Sequence, residues 1–103
     1  MKTTPENNVK RKLLVYLKEC GVFYYSATAG AYSTSGIPDI VGCVGGKFFA
    51  IEVKAPGRRG QANRGASALQ VQQMTKIKSA GGLTMVFDGG DDDWSELKSF
   101  MEA

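Results

Sequence analysis

Residues 36–54 read GIPDIVGCVGGKFFAIEVK, and the pairing of this stretch with itself decides the fold. Two strand-like runs, Asp39 to Val44 and Lys47 to Lys54, flank the dipeptide Gly45-Gly46. That dipeptide suits a two-residue hairpin turn, because both central residues of such a turn take positive φ and glycine does so without a Cβ clash. With the two glycines as the turn, Val44 pairs with Lys47, and counting outward sets Asp39 opposite Glu52. Directly opposed residues on one face have Cβ atoms about 4.5–5.5 Å apart. Side chains alternate along a strand, so Lys54 projects on that same face one diagonal step away, while Phe49, Ile51 and Val53 fill the other. A slip of one residue would send one carboxylate to the core side.

Two carboxylates at that separation repel, and the repulsion costs stability unless a proton or a cation is shared between them. A hard divalent cation resolves the conflict. Mg²⁺ is held by one or two carboxylates, several waters and substrate phosphate oxygens, and it neutralises charge on a phosphoryl group under attack. Lys54 beside it would hold the attacking water or stabilise charge developing at phosphorus. Singly, Asp39 reads as turn chemistry after Pro38, and Glu52 and Lys54 as solvent-facing strand residues. The pairing that joins all three favours the shared site.

Around the hairpin the chain alternates. Thr4 is a candidate N-cap with Pro5 at the first helical position, Val9, Leu13, Leu17 and Cys20 recur at helical spacing, and Gly21 is a stop. Val22 to Ser26 is a β-branched and aromatic run suited to a strand; Ala27 to Gly36 is a small polar loop that contains Tyr32. Residues 55–66, APGRRGQANRGA, have no periodicity and carry Arg58, Arg59 and Arg64, so a mobile basic loop is expected. A helical pattern returns from Ser67 through Leu69, Met74 and Ile77 to Gly81-Gly82. Leu83 to Phe87 is a short buried strand. Asp88 to Asp93 turns the chain into a last helix, capped by an Asp, with Trp94, Leu97, Phe100 and Met101 on its apolar face. The order α-β-β-β-α-β-α predicts an α/β fold, a mixed sheet flanked by helices, with residues 1–103 as a single domain.

Composition narrows the chemistry. The 103 residues include no histidine, which excludes Ser-His and Cys-His nucleophile pairs, imidazole zinc sites and a histidine base. Cys20 and Cys43 are not spaced as a metal knuckle or redox pair, and each sits among apolar residues, so buried free thiols are expected. No apolar run approaches the roughly 20 residues that cross a bilayer, and the start MKTTPENNVKRK lacks a signal-peptide core, which points to the cytoplasm of the cell that makes it. The net charge of +3 permits nucleic-acid binding, and its distribution sets a basic middle against an acidic end.

Two more polar residues fall on apolar helix faces. Glu6 lies three before Val9 and seven before Leu13, continuing the stripe of the first helix, though a first-turn acid also complements the helix dipole. Gln70 lies four before Met74 and seven before Ile77, where a glutamine satisfied by backbone is the plain alternative.

Gly36-Ile37-Pro38-Asp39, then Glu52-Val53-Lys54-Ala55-Pro56, then Ser67-Ala68-Leu69-Gln70 together resemble the VRR-NUC (virus-type replication-repair nuclease) domain, a branch of the PD-(D/E)xK nucleases that includes stand-alone phage proteins. The resemblance runs from about Glu6 to Phe87. It implies a restriction-endonuclease-like core, with Asp39 and Glu52 as metal ligands joined by the backbone carbonyl of Val53, and with Lys54 as the motif lysine. It makes Glu6 the acid of the first helix and Gln70 the supporting glutamine of the second. Small phage members resemble Holliday-junction resolvases acting as symmetric dimers. Ala68 departs from a position where the family often has proline, and the long Arg-rich loop is a second departure. Its arginines would contact phosphates and make binding salt-dependent; Tyr24, Tyr25 and Tyr32 are better read as core or surface filling than as stacking platforms. The Asp91 to Asp93 run lacks calcium-loop spacing and reads as capping.

The expectation is therefore a Mg²⁺- or Mn²⁺-dependent endonuclease acting on DNA, with branched substrates such as four-way junctions preferred and a homodimer supplying two equivalent sites. The rivals are a non-catalytic DNA-binding module and a nuclease subunit of a larger replication, repair or restriction complex.

Overall fold

A computed structural model describes residues 3–27, 35–58 and 60–102. Helix α1 spans Pro5–Cys20, strands β1 Phe23–Ser26, β2 Ile40–Val44 and β3 Lys47–Val53 follow, then helix α2 Ala68–Ser79, strand β4 Leu83–Phe87 and helix α3 Asp91–Glu102. A single 3₁₀ turn, Ala62–Gly65, lies within the basic loop. The sheet runs β1-β2-β3-β4, and the element order is the expected α-β-β-β-α-β-α. β1, β2 and β3 pair antiparallel, and β4 joins β3 parallel because α2 carries the chain back across the sheet. Tyr32 and the rest of residues 28–34 lie outside the described residues.

The hairpin closes as the glycines require. Gly45 and Gly46 take φ of 57° and 82°, Val44 pairs with Lys47, and the ladder runs to Ile40 opposite Ile51. Asp39 is the next residue outward, beside Glu52. Its carbonyl accepts from the Ala27 N–H at 2.8 Å, which carries the β1–β2 pairing one step past Ser26 opposite Ile40.

One face of the sheet carries the core. Phe49, Ile51 and Val53 of β3 pack with Ile40, Met85 and Phe87, under Val9, Leu13 and Leu17 of α1 and Leu97 of α3. Trp94 sets its ring edge-on to Phe87 at 4.9 Å and to Tyr16 at 5.4 Å, tying α3 to α1. Thr4 caps α1 by accepting from the Asn7 N–H, and Gly21 ends it in the left-handed conformation.

The opposite face is covered in part. Val71 and Met74 of α2 stand over Thr84 and Val86 of β4, yet α2 has no buried residue of its own. Among the described residues Phe23, Cys43 and Phe48 form one cross-strand row on this face, with Tyr25 in the next, and all four are exposed, Phe48 at the C-terminal end of α2. Cys20 is exposed as well, so neither cysteine is the buried thiol that its apolar neighbours in sequence suggest. Cys43 lies on the strand face that no helix reaches, and Cys20 on the wet side of the last turn of α1. Tyr24 points the other way from Tyr25 and packs at the edge of the core.

Gly45→Asn should stabilise the protein by about 0.5 kcal/mol, because asparagine accepts the left-handed φ of this position and restricts the unfolded chain more than glycine does. Urea denaturation of the two proteins checks this; an unchanged slope with a higher midpoint is the expected outcome.

Candidate functional site

Glu52 is the feature to explain. Its side chain is 2% exposed, at the end of the central strand, and its Oε2 has no hydrogen-bond partner among the described residues. Its neighbour across the hairpin is Asp39, whose Oδ2 accepts from the Val53 N–H at 2.8 Å. That bond replaces the ladder partner Val53 would otherwise have had and fixes the Asp39 carboxylate against β3. Two unit charges about 5 Å apart repel by about 3 kcal/mol at an effective dielectric constant near 20, so the pair does not hold two bare charges without compensation. Burial pushes the Glu52 carboxyl up to about 9 from an ordinary 4.5, aided by its hydrogen bond with Asp39, by the charge of Asp39 and by that of Glu6, against an opposing pull from Lys54. Without a cation, the pair shares a proton.

Lys54 and Gln70 complete one side. The Lys54 backbone N–H donates to the Phe87 carbonyl at 2.9 Å, anchoring the chain as it leaves β3. Its Nζ donates to Gln70 Oε1 at 3.0 Å. Gln70 Oε1 also accepts from the Ser67 N–H at 2.8 Å, while Ser67 Oγ accepts from the Gln70 N–H at 3.1 Å. This is a capping box at the start of α2, legible in the S-A-L-Q spacing. One amide oxygen thus serves the helix cap and the lysine together. Gln70 is a positioning residue for Lys54.

Gly36 sets the distance between the two halves. At φ of 84° it lies so close to α2 that a Cβ would stand 2.4 Å from the Leu69 carbonyl oxygen, so only glycine lets the Gly36 to Asp39 turn approach the residue before Gln70. The turn that carries Asp39 and the cap that carries Gln70 are packed as one unit.

Glu6 is exposed and not on the buried stripe that its spacing suggested. The buried stripe begins at Val9, one turn later, because the first turn of α1 extends past the core. Glu6 nevertheless raises the Glu52 pKa, which places it within electrostatic reach of the pair. All five residues singled out from the sequence, Glu6, Asp39, Glu52, Lys54 and Gln70, belong to one locality.

The basic loop divides. Arg58 is exposed and donates to Gln61 at 3.1 Å, which leaves it available to a partner; Arg59 lies outside the described residues. Arg64 is not a free surface cation. Asn63 and Arg64 take left-handed φ of 52° and 55°, and this turns Arg64 inward onto Asp93, which is fully buried. Asp93 also accepts from the Asp88 N–H at 2.8 Å. Burial alone would raise the Asp93 pKa, but the Asp88 N–H and the Arg64 guanidinium overcome it and hold the carboxyl below its ordinary value. The expected Asp cap is not what forms: α3 begins at Asp91, directly after Gly90, so the three aspartates occupy its first turn, and Asp93 fastens the basic loop to the fold. A contact 29 residues apart has no local sequence signal.

Among the described residues no cluster of three or more His, Cys, Asp or Glu side chains stands ready for a metal. The site does fit a hard cation of the Mg²⁺ type, which asks for one or two carboxylates and takes its other ligands from water and phosphate. The orphaned Glu52 Oε2 beside Asp39 is the observation that meets this demand.

No protein-family model, no curated protein and no solved structure matches this chain.

Two outcomes follow. Because the folded Glu52 pKa lies above its ordinary value, the folded protein keeps a proton that the unfolded chain releases, and stability falls as pH rises from about 4.5 towards 9. Glu52→Gln removes this loss: in EDTA, calorimetry at pH 8 should show it more stable than the parent by about 1–3 kcal/mol, with the difference vanishing near pH 4. Arg64→Ala, which takes the guanidinium away from a buried carboxylate, should cost about 2 kcal/mol by urea denaturation, whereas Arg58→Ala should change stability by less than about 0.5 kcal/mol.

Proposed function

We propose that this protein is a Mg²⁺- or Mn²⁺-dependent endonuclease with a restriction-endonuclease-like core, hydrolysing phosphodiester bonds of branched DNA such as Holliday junctions. The observation that carries the reading is the buried Glu52 with a partnerless oxygen, next to the half-buried Asp39 and beside a lysine braced by a helix-cap glutamine. Binding alone has no use for a buried acid beside a second carboxylate, an arrangement that weakens the fold at neutral pH. The VRR-NUC resemblance of the same residues agrees with it.

Asp39 and Glu52 would hold the cation, with the Val53 carbonyl as the third protein ligand that the resemblance implies. Bound there, the cation would neutralise the carboxylates and polarise a phosphate oxygen of the DNA. Lys54 is kept in place by Gln70 Oε1, and its remaining N–H donors serve the scissile phosphate or orient the attacking water. The exposed Glu6 carboxylate borders the site, where it adds negative charge that favours cation entry. Arg58 contributes a phosphate contact outside the site. Two identical cuts on a symmetric junction call for two identical sites, and the open row of Phe23, Phe48 and Tyr25 offers an apolar surface for a homodimer. A non-catalytic DNA-binding module, or a subunit of a larger complex, is the rival reading.

Cleavage of end-labelled junction, flap and duplex DNAs, with Mg²⁺ and Mn²⁺ compared, tests the proposal. Junction cleavage that needs the metal is expected, with at least a 10³-fold loss in Glu52→Ala and Lys54→Ala and a loss of about tenfold in Gln70→Ala, each still folded by circular dichroism. Cleavage undiminished by Glu52→Ala would overturn the assignment of the site.

A further inference from the structure

A cavity of about 420 Å³ has neither Asp39 nor Glu52 in its lining. Its walls include Pro5, Asn8 and Lys12 of α1, Pro56 after β3, and Asp88 and Trp94 around the start of α3. Two of these residues tie it to the site. Pro5 adjoins Glu6, and Pro56 follows Lys54 by two residues, so its Cα lies within about 7.6 Å of the Lys54 Cα. Lys54 and one wall of the cavity are therefore neighbours along the chain.

The lining has the character of a nucleotide site. Trp94 and the two prolines present flat apolar walls, and Trp94 is held rigid by its edge contacts with Tyr16 and Phe87. The Asn8 amide and the Asp88 carboxylate supply donor and acceptor groups of the kind that read a base edge. Lys12 is exposed at the rim and makes no ion pair among the described residues, so its ammonium is available to a phosphate. The volume falls within the range of about 300–1,000 Å³ typical of small-molecule sites.

We infer that this cavity takes one unpaired nucleotide of the DNA strand adjoining the scissile phosphate. The inference rests on the nuclease reading and names the feature of the substrate that the site selects. A base inside a stacked duplex cannot reach a lateral pocket, and extruding one costs a few kcal/mol, whereas a base left unpaired at a junction or flap enters without that cost. The preference for branched DNA then arises in the cavity and not at the carboxylates.

Trp94 is the sole tryptophan of the chain, so its emission reports on the cavity. The full-length protein in EDTA is titrated with three duplexes identical except at one position, which is fully paired, carries an unpaired base, or carries an abasic spacer. The unpaired base should quench Trp94 emission and bind at least tenfold more tightly than the other two. Asn8→Phe, which fills the cavity, and Asn8→Ala, which removes the amide, should each erase that tenfold preference while leaving Mn²⁺ binding, measured by calorimetry, unchanged, whereas Lys12→Glu should weaken all three duplexes alike. Asn8→Ala leaves the packing lighter and retains the test if Asn8→Phe proves unstable. Equal affinity for the unpaired base and the abasic spacer, or no Trp94 response, overturns the inference. The nuclease reading is judged apart, by metal-dependent cleavage: cleavage without base preference leaves it standing and removes the cavity, and base-dependent quenching without cleavage does the reverse.

Discussion

Two carboxyl groups pressed together at the open end of the β2–β3 hairpin, one of them buried, are the constraint around which this protein is arranged. Their closeness is imposed by the β2–β3 register, since strands that continue to Ile40 opposite Ile51 leave Asp39 no position other than beside Glu52. The fold answers with local compensation. The Val53 N–H takes one Asp39 oxygen, Lys54 lies nearby under the control of Gln70, and Glu52 keeps a proton where no cation stands. One Glu52 oxygen is still left without a partner. A buried oxygen with nothing to bond is a cost that the apolar core on the other face must offset.

The two faces of the sheet accordingly do different work. The α1 and α3 face holds the large buried side chains, from Leu13 and Leu17 to Phe49, Phe87 and Leu97, and supplies the hydrophobic stabilisation. The α2 face carries the polar groups. Helix α2 buries none of its residues fully, and its N-terminus is fixed by the Ser67–Gln70 capping box and by the close passage of Gly36 at Leu69. Chemistry placed under a lightly packed helix end remains accessible to a large substrate, which a site inside the α1 and α3 core would not.

Loop 55–66 shows how far composition misleads about a charged segment. Its arginines look equivalent in sequence, yet Arg58 faces solvent while Arg64 turns inward onto a buried aspartate at the start of α3. The loop is thereby attached to the core at one point, and an arginine counted as a surface cation is part of the structure's internal electrostatics.

What the sequence determined by itself lies within a few residues of its cause. Thr4-Pro5 started α1, Gly45-Gly46 set the turn and with it the meeting of Asp39 and Glu52, strand alternation sent Phe49, Ile51 and Val53 to the core, and the spacing from Ser67 to Gln70 contained a capping box. These follow from backbone geometry and near-neighbour hydrogen bonds, which carry little dependence on the rest of the fold. What only the tertiary structure decided was burial and long-range partnership. Glu6 continues an apolar stripe in register but lies beyond the core that would bury it; Cys43 sits among apolar neighbours on a strand face that no helix covers; Arg64 finds Asp93 across 29 residues of chain. Periodicity fixes which way a side chain points, and only the packing of distant elements fixes what it meets there.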